Sequence, residues 1–275
     1  MNLPIFIINL AFDVQKKEHM QSLCLHFGLN VEFIEAVDGN NLTKKALSSV
    51  YSPKNAIEAF GREMTKGEVG TALSHKIIYE KIINKNIKAA LILEDDVTFD
   101  EKLINVLALK HLLPYNWEAV LLGHHSERSR EDLTKHSIWF KKPLIEGVVL
   151  RRPCEIGYGA YGYCISNKGA KNLYNALETI SLPIDHYTGN DQYLNLYVIE
   201  QPLILLHNEL TEMSNLADDR KRMAKKFSQQ TKVRGKTKFK LKNIAKLFGM
   251  YRRFINFRMG LKSLIMRIKP YRRYH

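Results

Sequence analysis

The stretch AALILEDDVTFD, Ala89 to Asp100, constrains this chain more than any other. Five apolar residues run directly into Glu94, Asp95 and Asp96, and apolar character returns at Val97 and Phe99. A short unbroken apolar run is the mark of a strand buried on both faces. Three adjacent carboxylates at its carboxyl end repel one another unless a cation or hydrogen-bond donors hold them. In open α/β sheets that end of a strand is where ligands bind. The stretch therefore predicts a buried strand that delivers negative charge to a crevice. A plainer use of the same acids is to complement the N-terminus of a following helix.

Around this strand the chain alternates between two periodicities. Leu3 to Leu10 and Val31 to Val37 read as strands, the second closed by the turn residues Asp38, Gly39 and Asn40. Between them, Asp13 to Phe27 has helical spacing, with Val14, Met20, Leu23 and Phe27 on or near one face. Residues 40–63, with Ser and Asn around Pro53, read as loop. Thr65 and Glu68 have capping-box spacing and open a helix whose inner side takes Ala72, Ile78, Ile82 and Ile83. Further strands are expected at Ala119 to Leu122, Val148 to Leu150 and Ala160 to Ile165. The helix NKGAKNLYNALETI follows, and VIEQPLILLH closes the domain as a last strand. This order predicts an α/β domain on a largely parallel sheet, without internal repeats.

The 275 residues divide sharply by charge. Residues 216–275 hold 20 of the 42 Lys and Arg but only Asp218 and Asp219 of the 28 acids, leaving 22 basic and 26 acidic residues before them. A mildly acidic domain, 1–215, thus carries a basic linker, 216–238, and a basic amphipathic helical tail, 239–275. In the tail, Leu241, Ile244, Leu247, Phe248, Tyr251 and Ile255 can share a broad face opposite Lys and Arg. Such a helix suits an anionic membrane surface. Cys24, Cys154 and Cys164 lack metal-ligand spacing and read as reduced thiols. The opening MNLPIFIINLAFD has no basic n-region and too short an apolar run for a span, so the expected location is cytoplasmic.

Glu94 and Asp96 bracket Asp95, so alternation puts both on one side of an extended chain. Paired oxygen donors suit Mg²⁺ or Mn²⁺. Such a cation also binds substrate phosphates and neutralises charge on a phosphate leaving group. Asp96 is the expected main metal contact, assisted by Glu94 or Asp95. Asn9 ends the first strand and Asp38-Gly39 follow the second, where a base and ribose would dock. Asp38 is equally a turn former. In GYGAYGYCIS, glycines weaken a strand unless a backbone or ligand comes close. Tyr161, Gly162 and Tyr163 are therefore candidates for contacting a ligand, since tyrosine offers an apolar face and a polar tip.

The ordered set IFIINL, AVDG, GEVGTALSHKIIYEKI, LILEDDV, GAYGYCISNKGAKNL and LPIDHY resembles glycosyltransferase family 25 over about residues 3–215. That family comprises bacterial lipooligosaccharide galactosyltransferases and related collagen galactosyltransferases. The resemblance implies a GT-A type fold with a Rossmann-like nucleotide-binding half and a cation on an Asp-x-Asp-like motif. It also implies a UDP-sugar donor, commonly UDP-galactose, and transfer with inversion to a glycolipid oligosaccharide acceptor. By the same resemblance the acid left off the metal meets the ribose or sugar, and Tyr161, Gly162 and Tyr163 meet the sugar or acceptor. Ser74 and His75 line the donor pocket, unless the histidine only satisfies a buried backbone carbonyl, and Asp185 of the Pro-x-Asp element is the base that takes the acceptor's proton. Asp191 is the second candidate, and either acid could instead cap a helix near Asn190. His207 matches the late histidine ligand of many GT-A enzymes, and His124-His125 stand at a comparable strand end. Where members commonly carry arginines after the first strand, this chain has Lys16 and Lys17, which lack the planar fork.

Together these readings describe a metal-dependent enzyme attached peripherally to the inner face of the cytoplasmic membrane, extending a lipooligosaccharide. Two other classes compete. A nucleic-acid binder would use the tail's interleaved aromatics and arginines, but leaves the acidic domain unexplained. A nucleotidyl- or phosphotransferase would use the same carboxylates, yet no GxxxxGK[ST] phosphate loop is present.

Overall fold

The computed structural model describes residues 3–108, 113–127 and 129–212. The linker and amphipathic-tail expectations fall on residues outside the described ones. No helix among the described residues is long and apolar enough to cross a membrane.

The chain runs β1 (Ile5–Asn9), α1 (Val14–His26) and β2 (Val31–Glu35), then a 3-10 turn (Gly39–Asn41), α2 (Lys44–Val50), α3 (Pro53–Phe60) and α4 (Lys66–Asn84). β3 (Ala89–Glu94), β4 (Val97–Phe99), α5 (Glu101–Ala108) and β5 (Ala119–Leu121) follow, then β6 (His136–Ile145), β7 (Val148–Pro153) and β8 (Gly162–Ser166). The last elements are α6 (Asn167–Ala176), α7 (Asp185–Thr188), β9 (Leu196–Ile199), β10 (Ile204–Leu206) and α8 (Asn208–Glu212). Eight strands form one mixed sheet in the order β2-β1-β3-β8-β5-β9-β7-β6.

The unbroken apolar strands are explained by cover on both faces. Ile5, Ile7, Leu91 and Leu93 pack with Met20, Cys24 and Leu103 on the side of α1 and α5. Phe6, Ile8, Ala90 and Ile92 pack with Val69, Ile78, Ile82 and Leu173 on the side of α4 and α6. β1 lies between β2 and β3, parallel to both. The chain thus leaves β1 towards one neighbour and later returns to its other side, which opens a crevice at the carboxyl ends of these strands.

Four expectations need correction. The sheet is not largely parallel, because β8 enters antiparallel between β3 and β5, and β7 is antiparallel to β6 and β9. Residues 40–63 are not loop: the Ser, Thr, Pro and Gly there cap helices. Thr43 accepts from Ala46 N–H and Ser52 from Asn55 N–H, Pro53 opens α3, and Gly61 closes it at φ 82°. VIEQPLILLH does not form one strand, because the ladder breaks around Pro202, which lacks an N–H. β9 stays in the main sheet while β10 pairs with β4. On α1, Val14 is exposed and Lys16 is buried instead.

The capping box at α4 is present, and it is reinforced. Glu68 accepts from Thr65 N–H at 2.9 Å, while Arg62 Nη1 and Nη2 donate to its carboxylate at 2.9 and 2.7 Å. The end of β2 is stitched to the same helix through Ser74, whose Oγ accepts from Val37 N–H at 2.8 Å and donates to Gly70 O at 2.8 Å. This contact brings backbone onto backbone: a Cβ on Gly39 would lie 1.8 Å from Lys66 O. Gly39→Ala should therefore destabilise the fold by about 1–3 kcal/mol. Urea unfolding checks this; an unchanged midpoint would show that the two segments can separate freely.

Candidate functional site

Two clefts meet at the end of β3. The first, about 850 Å³ including the space at its mouth, is lined by the carboxyl ends of β1, β2 and β3. Leu10, Asp13 and Lys16 form one wall, Asp38, Gly39 and Asn40 another, and Thr71 and Ser74 of α4 a third. The second, about 780 Å³ on the same measure, is lined by Tyr161, His125, Arg130, Ile184 and Asp185. Glu94, Asp96 and Thr71 line both clefts. Asp95 lines only the first.

The three carboxylates are held differently. Asn9 is the first residue of β1 beyond Ile8, the partner of Glu94, so it stands abreast of Asp95. Its Nδ2 donates to Asp95 Oδ2 at 2.8 Å, and Lys16 Nζ donates to Asp95 Oδ1 at 3.2 Å. Lys16 also lies 3.8 Å from Asp96 Oδ2. Asp96 Oδ1 is buried without a hydrogen-bond partner among the described residues. Glu94 is the most accessible of the three, its side chain 30% exposed.

Burial, then Glu94, drives the Asp96 carboxyl up to about 6 despite Lys16. Burial raises Asp95 as well, against the pull of Lys16 and Asn9. Burial opposes the Lys16 ammonium too, but Asp95 and Asp96 together outweigh it and raise its pKa. The lysine answers two acids, whereas each acid also suffers its neighbours.

Asp96 and Glu94 offer hard oxygen donors at one point, and the orphaned Asp96 Oδ1 is the kind of atom a cation would complete. Among the described residues, no group of three or more His, Cys, Asp and Glu side chains could hold a metal alone. A cation here would complete its shell with substrate phosphate oxygens and water, as Mg²⁺ commonly does. The backbone N–H of His207 donates to Asp96 O at 2.7 Å, and its Nδ1 is buried without a partner. Its ring packs edge-on against His19.

The remaining expected residues separate into those at the clefts and those behind them. Asp38 lines the first cleft while its carboxylate accepts from Asn40 N–H at 2.9 Å. Asp185, first residue of α7, lines the second cleft with Oδ1 buried and unpartnered among the described residues. Asp191 is exposed, lines neither cleft, and lies close enough to Arg152 to act on its charge. Tyr161 lines the second cleft, but Tyr163 is fully buried behind it. The glycines here serve packing: a Cβ on Gly123 or Gly159 would strike the Tyr161 ring at 2.2 or 2.3 Å, and one on Gly162 would strike Ile204. His75 is fully buried and lines neither cleft. His125 reaches the second cleft, whereas buried His124 bonds Ile199 O at 2.6 Å.

The sequence reading passed over Thr71 and Arg130. Thr71 lies one helical turn before His75, a spacing that places it on the same face of α4, but polar residues in mid-helix carry no signal of their own. Arg130 belongs to a segment without regular periodicity.

The raised Asp96 pKa has a consequence for the metal-free protein. An unfolded aspartate loses its proton near the ordinary value of 3.8, whereas folded Asp96 keeps it until about 6. Stability should fall as pH rises between these values and level off above them. Asp96→Asn should then be more stable than wild type at pH 7, by about 2–3 kcal/mol, with the gain shrinking towards pH 4. Thermal unfolding in chelator across this range measures it. A variant less stable than wild type at pH 7 would contradict the assigned burial cost.

The family described as Glycosyltransferase family 25 (LPS biosynthesis protein) matches residues 2–188. A glycosyltransferase 25 family member of Aedes aegypti is 31% identical over 192 residues, 66% of this chain and 30% of the relative. Procollagen galactosyltransferase 1-A of Xenopus laevis is 27% identical over 191 residues, with the same coverage of 66% and 30%. Procollagen galactosyltransferase 2 of Homo sapiens is 27% identical over 191 residues, covering 66% of this chain and 29% of the relative. This chain thus spans about 30% of the length of the curated relatives it matches. The match takes in β1, the α4 helix, the Glu94–Asp96 strand end and Asp185, and the chain belongs to glycosyltransferase family 25.

Proposed function

We propose that the domain transfers a hexose, galactose in the simplest case, from a UDP-sugar to a hydroxyl of a glycolipid oligosaccharide. One observation carries this reading: Glu94 and Asp96 line both clefts, so a group held by them faces a second site across a shared wall. The first cleft sits where a nucleotide docks in a Rossmann-like half, consistent with a GT-A type arrangement. Asp38 and Gly39 lie at the ribose end of this cleft, and Asn9 and Lys16 fix Asp95 at its floor. The second cleft takes the acceptor, with the Tyr161 side chain as a wall on which a sugar ring can pack.

Mn²⁺ or Mg²⁺ on Asp96 and Glu94 would supply charge neutralisation for the departing diphosphate, and His207 stands beside this point as a further candidate ligand. The protein's own part is displacement chemistry. The Asp185 carboxylate takes the proton of an acceptor hydroxyl, whose oxygen bonds to the anomeric carbon as the bond to the diphosphate breaks and its electron pair leaves with UDP. Attack from the opposite face inverts the anomeric configuration, giving a β-linkage from an α-linked donor. An attached or anionic acceptor surface would also give the basic tail its role, holding the enzyme at the inner face of the membrane.

UDP release from a panel of UDP-sugars, with Mn²⁺, Mg²⁺ or chelator, tests this together with Asp185→Asn. The expected result is cation-dependent turnover of one donor, reduced about 10²–10⁴-fold in the variant. Failure of every UDP-sugar to bind in the presence of Mn²⁺ would overturn the reading.

A further inference from the structure

Behind Glu94 lies a buried polar chain that neither cleft touches. His75 and Tyr79 are four residues apart on α4 and so share a face. Tyr163, on β8, sits opposite Ile92 of β3 and meets them there. His75 Nδ1 lies 2.7 Å from the Tyr163 hydroxyl, which lies 2.6 Å from the Tyr79 hydroxyl. All three side chains are fully buried. The other imidazole nitrogen, Nε2, has no hydrogen-bond partner among the described residues and points at Glu94 Oε1, 3.8 Å away.

A buried polar atom left unpaired is destabilising. Here the cost is retained at the one atom that faces the shared wall of the two clefts. Only one polarity of the chain leaves its last donor facing an acceptor. Tyr79 O–H donates to Tyr163, Tyr163 O–H donates to His75 Nδ1, and Nε2 carries the remaining proton towards Glu94. The reverse polarity would aim a lone pair at an ionised carboxylate. Glu94 is partly exposed, so a movement of about 1 Å closes the gap to hydrogen-bond length.

We propose that His75 is a positioning residue: its Nε2–H holds the Glu94 carboxylate at the boundary between the clefts, with its tautomer set by the buried Tyr79–Tyr163 hydroxyl pair. This rests on the glycosyltransferase reading for its effect on turnover, but not for its hydrogen-bond polarity. His75 therefore acts through Glu94 and does not touch the substrate.

Two readouts test it. In the ¹⁵N spectrum of the full chain, with the His75 signals assigned by their loss in His75→Asn, a neutral Nε2–H tautomer is expected, and Glu94→Gln should shift the Nε2 resonance. An Nδ1–H tautomer would overturn the proposal whatever the activity. For kinetics, glutamine places an amide near Nε2, whereas asparagine places one only near Nδ1. His75→Gln should keep most turnover, and His75→Asn should lose about 10- to 100-fold in kcat with a smaller change in donor KM. A purely structural histidine gives the reverse order, since asparagine preserves the bond to Tyr163; that order would overturn the proposal. Wild-type protein that binds no UDP-sugar in the presence of Mn²⁺ would sink the functional reading instead, while the tautomer would still decide the polarity.

Discussion

Three carboxylates at the end of a buried strand cannot sit there uncompensated, and much of the domain is organised around that constraint. Their partners come from β1, α1 and α4. Asp95 is taken by Asn9 of β1 and Lys16 of α1. Asp96 shares Lys16 but keeps one oxygen unpaired. Glu94 turns towards α4, where His75 faces it. Alternation along the strand makes this division possible, because both faces of β3 are covered by helices that can present partners. The result is a site with its negative charge only partly neutralised, which is a stability cost retained where a cation and a diphosphate would be held.

The same architecture explains why one short segment can serve two clefts. The first cleft exists because β1 has parallel neighbours on both sides, and the second because β8 returns antiparallel beside β3. Gly123 and Gly159 leave room for the Tyr161 ring that lines the second cleft, and the Gly39 and Gly70 contacts let the β2 end rest on α4. Close approach of backbones, more than glycine's freedom in φ, is what most of these positions require. Gly159, at φ 96°, needs both.

Much of the first half was legible because its physics is local. The apolar runs of β1 and β3, the Thr65–Glu68 box and the Asp38-Gly39 turn each carry their own signal within a few residues. The second half was less legible because strand direction is a tertiary property. Nothing within Gly162–Ser166 says that it will run antiparallel between two strands, and nothing in HSIWFKKPLI marks the edge strand β6. Helices α2 and α3 were hidden by their caps, since Thr43, Ser52, Pro53 and Gly61 are also loop formers. At the site, residues at strand ends were readable from topology, but depth was not. Tyr163 and His75 belong to the layer behind the cleft, and Lys16 looks polar and exposed until α1 turns it inward.

The most direct test of this account is where a cation and diphosphate settle. Crystals of the full chain grown with UDP and Mn²⁺ should show anomalous scattering within coordination distance of Asp96 Oδ1, with the diphosphate in the cleft lined by Asp38 and Lys16. Manganese bound away from Glu94 and Asp96, or UDP outside that cleft, would contradict the claim that the end of β3 is a diphosphate site.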